Sequence, residues 1–250
     1  MSITLEGISK AFGEKRVLED VSLDVNEGET VAVIGASGVG KSVLLKTIVG
    51  LLVPDAGQVE VDGEVVTDLS REELYALRRR VGYVFQFAAL FDSMTVYQNM
   101  TMGLRRMGMP KDEQKERVTE SLRLVEMTGY EDQIPGELSG GQKKRIGLAR
   151  AIVTEPKYLL YDEPTTGLDP VTTAVIDRLI LRMDEELGVT SVVVTHDMTS
   201  AYRVADRIAM LHEGRIRYVG TPEEIQATDD RIVKGFIEGR PELLEEESAS

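Results

Sequence analysis

The chain has 250 residues, no cysteine and a formal net charge of −14, from 43 acidic and 29 basic side chains. Without cysteine there is no disulfide framework and no thiolate metal site, and the acidic balance argues against a broad nucleic-acid-binding surface and against adsorption to anionic lipid heads. The opening MSITLEGISK lacks the basic-then-apolar pattern of a signal peptide, and no run of about 18 apolar residues is present to span a bilayer.

In chain order, Ile3 and Leu5, then Val21, Leu23 and Val25, alternate as strands around a turn at Phe12-Gly13-Glu14-Lys15, predicting an antiparallel β region. Thr30 to Ile34 is an apolar β-branched run, the mark of a buried strand, and Val43 to Val49 reads as a buried helix. Between them lies Gly35-Ala36-Ser37-Gly38-Val39-Gly40-Lys41-Ser42, which fits a phosphate-binding P-loop in its required strand–loop–helix setting. Asp62-Gly63 predicts a hairpin, and Ser70 with Glu73 predicts a capping box opening a helix to about Arg80. Val81 to Phe85 is a strand that ends at Gln86.

Residues 87–129 read as mainly helical, and a second helical pattern runs from about Gly141 to Val153. Strands are predicted at Tyr158–Tyr161 and Ser191–Val194, with a helix opened by Asp169-Pro170 and closed by Gly188 between them. Two short strands (Ile208–Leu211, Ile216–Val219), helices near Pro222–Ala227 and Arg231–Ile237, and an acidic tail from Leu243 to Ser250, predicted to be disordered, complete the chain. Alternating strands and helices imply an α/β fold with a mostly parallel core sheet. The helical block at 87–155 interrupts that alternation and reads as a subdomain inserted into a nucleotide-binding core of residues 1–86 and 156–220. Residues 221–250 form an extension, and the whole of 1–240 reads as a single domain.

Three features carry chemistry. The P-loop glycines let several N–H groups face one anion, Lys41 reaches the β- and γ-phosphates, and the Ser42 hydroxyl is a Mg²⁺ ligand. Asp162-Glu163 follows a buried strand; Asp162 there can hold Mg²⁺ through water, and Glu163 can polarise an attacking water. Leu138-Ser139-Gly140-Gly141-Gln142 precedes a helix and offers a second anion-binding start, although alone it also reads as an N-cap with loop glycines. Two such starts about 100 residues apart in the sequence serve one nucleotide only if they meet, within a chain or across a dimer. Lys143-Lys144-Arg145 reads as a solvated helix face.

LSGGQ between a P-loop and an Asp-Glu strand end resembles the ATP-binding subunit of an ABC transporter, over about residues 2–220. The resemblance implies the P-loop NTPase fold of that family, ATP and Mg²⁺ as cofactors, and ATP hydrolysis as the activity. It also implies a role for Phe12 stacking on adenine, Gln86 as the Q-loop residue contacting Mg²⁺ and the membrane partner, Thr166-Gly167-Leu168-Asp169 as the D-loop, and His196 as the switch histidine. Phe12 stands where tyrosine is commoner, and Thr-Gly where the D-loop often has Ser-Ala. In this family two copies pair head to tail, so Ser139, Gly140, Gly141 and Gln142 are expected to act in trans, in a homodimer bound to permease subunits on the cytoplasmic face of the inner membrane.

The segment LRRRVGYVFQFAALFDSMTV is further similar to the ATPases of MCE-associated (Mla-type) lipid transporters, as are Asp229-Asp230-Arg231, Phe236 and Gly239. That likeness implies an MCE-type lipid-binding partner and a C-terminal segment, 231–245, that helps join two subunits. A polar amino-acid importer ATPase is the alternative within the family. A soluble ABC protein acting on DNA ends or ribosomes fits less well, because there is one P-loop and no sustained heptad.

Overall fold

The computed structural model describes residues 2–244. β1 (Ile3–Phe12) and β2 (Lys15–Val25) pair antiparallel, with Ile3 opposite Val25 and Phe12 opposite Lys15, so the predicted turn closes a long hairpin. β4 (Ala56–Val61) flanks β1 on its other side, and β5 (Glu64–Val65) completes a four-stranded sheet of order β2-β1-β4-β5. The second sheet has six strands, in the order β10-β9-β3-β8-β7-β6. Here β3 (Thr30–Ile34), β6 (Val81–Val84), β7 (Tyr158–Asp162), β8 (Thr190–Thr195) and β9 (Arg207–His212) run parallel, and β10 (Arg215–Gly220) returns antiparallel at the edge. Every residue of β3, β7 and β8 is buried, as expected for parallel strands covered on both faces.

Those faces build three apolar clusters. Tyr158 and Leu160 of β7 pack with α1 (Lys41–Ile48), α2 (Arg71–Arg79) and the antiparallel sheet, while Leu159 and Tyr161 pack with α6 (Pro170–Leu187) and the helices that follow β6. The period-two alternation of a strand sends successive residues to opposite layers. The carboxyl ends of β3, β7 and β8 therefore share one edge of the sheet, the edge where ligands bind in open α/β sheets.

β6 and β7 are adjacent parallel neighbours, and the chain between them carries α3 (Val96–Arg106), α4 (Lys111–Leu124) and α5 (Gly140–Ile152). The expected helix over 87–95 is absent. Ala88 and Ala89 have φ of 58° and 48°, a left-handed conformation that no right-handed helix can carry. The buried Asn99 side chain instead bonds to this loop, accepting from the Phe91 N–H at 2.7 Å and donating to the carbonyls of Phe91, Met94 and Thr95. One amide thus satisfies backbone groups that a helix would have satisfied internally. The other helix within the core, α7 (Met198–Val204), is unheralded in the sequence. It spans only seven residues and is started by the Asp197 carboxylate, which accepts from Thr199 and Ser200 N–H.

At the C-terminal end, α8 (Pro222–Ala227) and α9 (Arg231–Ile237) appear where expected. Ile232 and Val233 are fully buried with Ile34, Ile208 and Met210 of the core. Leu243 closes a one-turn 3₁₀ helix, and Leu244 packs against that same cluster, so the predicted disorder does not begin at Leu243. Residues 245–250 of the acidic tail lie outside the described residues. Among the described residues no helix is long and apolar enough to cross a membrane.

Beneath β3 a carboxylate ties two strands to α6. Asp184 accepts from the Thr30 hydroxyl at 3.0 Å and the Ser191 hydroxyl at 2.8 Å. Burial pushes its pKa up to about 6, against the two hydrogen bonds, which lower it. The folded state therefore favours the protonated acid, so its contribution to stability is largest at low pH and is lost as pH rises through about 6. The free-energy difference between Asp184→Asn and wild type, read by denaturant unfolding, is expected to shift by about 1–3 kcal/mol in the variant's favour between pH 4 and pH 7.

Candidate active site

β3 runs into the glycine loop with Gly35 at φ 150°. A Cβ on Gly35 would lie 2.3 Å from the Leu211 carbonyl oxygen of β9, so only glycine lets the loop leave the sheet here. Gly40 opens α1 with φ 115° and no side-chain cap, leaving the helix start free to receive an anion. The Lys41 ammonium folds back over the loop, donating to the carbonyls of Gly35 at 2.8 Å and Ala36 at 3.1 Å. Val39 is packed in the N-terminal core, so its contribution to the loop is through its backbone.

A cleft of about 550 Å³ lies over this loop, lined among others by Phe12, Lys15, Ser37, Gly38, Lys41, Ser42, Gln86, Glu163, Thr166 and His196. The structure thus gathers residues from five separate stretches of sequence. Phe12 stands at the rim, 49 % exposed, with the Lys10 ammonium 5.8 Å from its ring centre. Such an exposed aromatic face is available for stacking.

Ser42 donates its hydroxyl to Asp162 Oδ1 at 2.6 Å, and the Tyr83 hydroxyl donates to Asp162 Oδ2 at 3.1 Å. Burial, together with the nearby Asp162 charge, pushes the Tyr83 phenol up and keeps it a donor. Ser42, Asp162 and Gln86 offer oxygen atoms, the donor type that Mg²⁺ prefers. Among the described residues no three acidic or histidine side chains converge as a metal cage, so an ion held here must draw its remaining ligands from phosphate and water, as Mg²⁺ commonly does.

Glu163 sits one residue past β7 at φ 52°. A non-glycine residue held in this region carries strain of about 1 kcal/mol or more. Its N–H donates to the Val194 carbonyl at 2.9 Å, which fixes the turn against β8. Its carboxylate, buried, meets three side chains: Lys41 Nζ at 3.3 Å, the Thr166 hydroxyl at 3.1 Å and His196 Nδ1 at 2.7 Å. Against a carboxylate oxygen the His196 nitrogen is the donor, so this contact assigns the hydrogen to Nδ1.

The signature segment lies elsewhere. Ser139 caps α5 through a reciprocal pair with Gln142: Ser139 N–H donates to Gln142 Oε1 at 2.8 Å, and Gln142 N–H donates to Ser139 Oγ at 3.3 Å. Ser139, Gly140, Gly141 and Gln142 line a second cleft of about 360 Å³ together with Asp169 and Thr172. Asp169 caps α6, accepting from Val171 and Thr172 N–H at 3.0 Å each, and the Thr172 hydroxyl holds its carboxyl below the usual range. No residue is shared by the linings of the two clefts.

Sequence reading missed three contributors. Tyr83 was seen only as a core strand residue, and the Thr166 hydroxyl only as part of the D-loop. Lys144 is corrected outright: it is 7 % exposed, not on a solvated face, and it donates to the carbonyls of Gln86 at 2.5 Å and Glu163 at 3.3 Å. Its place on the inner side of α5, among Ile146, Leu148 and Ala149, is the signal that could have found it.

A parallel sheet with a glycine loop, a carboxylate pair and a histidine bonded to Glu163 at one edge defines a P-loop nucleotide hydrolase. A family profile described as ABC transporter matches residues 18–166, and the chain belongs to that family. The chain is 41 % identical over 241 residues, 96 % of its length and 70 % of the relative's, to a protein named probable ribonucleotide transport ATP-binding protein mkl of Mycobacterium leprae. It is 44 % identical over 229 residues, 90 % of its length and 63 % of the relative's, to the sulfate/thiosulfate import ATP-binding protein CysA of Bacillus cereus. Among solved structures it superposes on the dimeric ATP-binding cassette MJ0796 in a post-hydrolysis state with ADP and Pi, at a TM-score of 0.80 and 34 % identity, covering 88 % of this chain and 98 % of that one. The cbiO1 cassette of Clostridium perfringens gives a TM-score of 0.83 at 33 % identity, covering 98 % of both chains. The chain is therefore an ATP-hydrolysing subunit of the ABC transporter family, with ATP as its nucleotide and Mg²⁺ as the accompanying ion.

Gly35→Ala is expected to abolish nucleotide binding and to lower stability by about 2–4 kcal/mol, because the added methyl meets the Leu211 carbonyl. Titration with a fluorescent ATP analogue and a thermal melt check both effects.

Proposed function

We propose that two copies of this chain close head to tail on two ATP molecules, each P-loop cleft being completed by the partner's signature, and that this closure drives membrane subunits. The observation that carries the reading is the separation of the two anion-binding helix starts: in one chain, the P-loop and Ser139 line different clefts. A related cassette of 34 % identity is described as dimeric, which supports the same arrangement here. Closure by ATP is a population shift, because the γ-phosphate gains the Ser139, Gly140 and Gly141 donors only in the closed dimer.

Within the cleft each residue has an assigned task. Lys41 and the P-loop N–H groups bind the phosphates, and Phe12 stacks on the base. Glu163 orients the attacking water and takes its proton as the new P–O bond forms and the bond to the β-phosphate bridging oxygen breaks. His196, bonded to Glu163 through its Nδ1–H, steadies that carboxylate at the edge of the γ-phosphate site. Ser42, Asp162 and Gln86 would hold Mg²⁺, which supplies charge neutralisation when bound.

The loop after Gln86 is the face offered to the permease. Phe87 is 82 % exposed and Phe91 is 51 % exposed, and exposed aromatics together mark an interaction surface. We assign the transported cargo to phospholipid, in an MCE-type system at the cytoplasmic face of the inner membrane. Support comes from the FQFAALFDSMTV segment and the Asp229–Gly239 end, which resemble the ATPases of such systems. An importer of a small solute is the second reading, favoured by the 44 % identity to a sulfate/thiosulfate import protein.

Glu163→Gln is expected to keep ATP binding, to lose about hundredfold or more in turnover, and to run as an ATP-dependent dimer in size exclusion with light scattering. Full ATPase activity in that variant would remove Glu163 from the chemistry. For the cargo, the chain is to be purified from native membranes with its partners, followed by mass spectrometry of polypeptides and lipids. An MCE-type subunit with bound phospholipid is the expected result; a sulfate or amino-acid permease without one would overturn the lipid assignment.

A further inference from the structure

Lysine is among the side chains least often buried, yet Lys144 lies inside the protein with no carboxylate in ion-pair contact among the described residues. Its two hydrogen-bond acceptors are main-chain carbonyls. One belongs to Gln86, which ends β6, and the other to Glu163, which ends β7. Both residues line the P-loop cleft, and the lysine that joins them comes from α5, the helix that Ser139 begins. Burial lowers the Lys144 pKa, and only the Glu163 charge opposes that fall. A methionine would fill the same volume without that desolvation, so what the ammonium adds is directional bonding to two peptides.

Those peptides are the ones most in need of holding. Glu163 is in a strained left-handed conformation, anchored at its N–H by Val194 and at its carbonyl by Lys144. Further along α5, the Arg150 guanidinium donates to the carbonyls of Ala88 at 2.7 Å and Ala89 at 2.5 Å, both again left-handed. Between them the two cations fasten the exposed aromatic loop to the signature helix, and Lys144 alone extends that fastening to Glu163.

We propose that Lys144 is a positioning residue for hydrolysis: its buried ammonium fixes the Gln86 and Glu163 peptides to the signature helix, so that the catalytic carboxylate is placed by the same helix that caps the partner's nucleotide. The proposal rests on the catalytic role assigned to Glu163 above. It differs from a general packing role in what it leaves untouched, because among the described residues Lys144 makes no hydrogen bond to the P-loop or the adenine rim.

The test uses the full chain, with ATPase kinetics, titration of a fluorescent ATP analogue, and thermal melting of each variant. Lys144→Met is expected to lower kcat by about tenfold to hundredfold, the range for a misplaced reacting group. KM for ATP and analogue affinity should stay within about twofold, a pattern that reports loss of transition-state placement alone. Lys144→Arg, which keeps a charged donor, should recover part of kcat. Lys144→Gln, which keeps one neutral donor and guards against a variant that fails to fold, should fall between them. Unchanged kcat in Lys144→Met, or parallel loss of nucleotide affinity and kcat in both Lys144→Met and Lys144→Gln, overturns the positioning role. Glu163→Gln measured beside them separates the readings: if it is inactive while Lys144→Met is fully active, only the positioning role falls. If Glu163→Gln is active, the catalytic role falls and the positioning role with it.

Discussion

The site depends on the register of three buried strands. Ile34 of β3 lies opposite Thr195 of β8, and Asp162 of β7 lies opposite Val194 of β8. The next residue on each strand is therefore Gly35, His196 and Glu163, delivered side by side at the same edge. A slip of one residue in any pair would exchange the two faces of that strand and carry its terminal residue away from the loop. The register is set by continuous burial: every residue of these strands is enclosed, β7 and β8 alternating between the core under the antiparallel sheet and that under α6, and β3 between the former and the C-terminal cluster.

Around that edge the polar groups form two adjacent sets, which meet along the chain at Lys41-Ser42 and Asp162-Glu163. Asp162 is held by Ser42 and Tyr83, and Glu163 by Lys41, Thr166 and His196. Removing one member of a buried charged network leaves its neighbours desolvated and unpaired, a larger cost than the net strength of any one contact. The Glu163 set also leaves room for function. The Lys41 ammonium is held by carbonyls and a carboxylate, so a phosphate entering the cleft meets a cation already in place rather than one that must be ordered.

Much of the site was legible in the chain because its motifs are local. The P-loop is eight consecutive residues, readable from its spacing, while LSGGQ and the Asp-Glu pair are each contiguous and are read from their resemblance to the family's motifs. The hairpin at Phe12, the capping box at Ser70 and the Pro170 helix start follow from rules that act within a few residues. The loop at 87–95 was misread as helix for the complementary reason. Its apolar composition carries no mark of the left-handed Ala88 and Ala89, which are held by Arg150, or of the Phe91, Met94 and Thr95 peptides held by Asn99, both from helices that follow the loop.

The α/β class and the glycine loop ahead of a helix are readable in the chain alone, because each is encoded by residue type over a short span. The tertiary structure alone decided that the P-loop and the signature line different clefts, and that Lys144 is turned inward onto Gln86 and Glu163. The second outcome depends on contacts between residues 19 and 58 positions apart. A helical pattern shows which side chains share a face, but not which distant carbonyl will receive a buried cation.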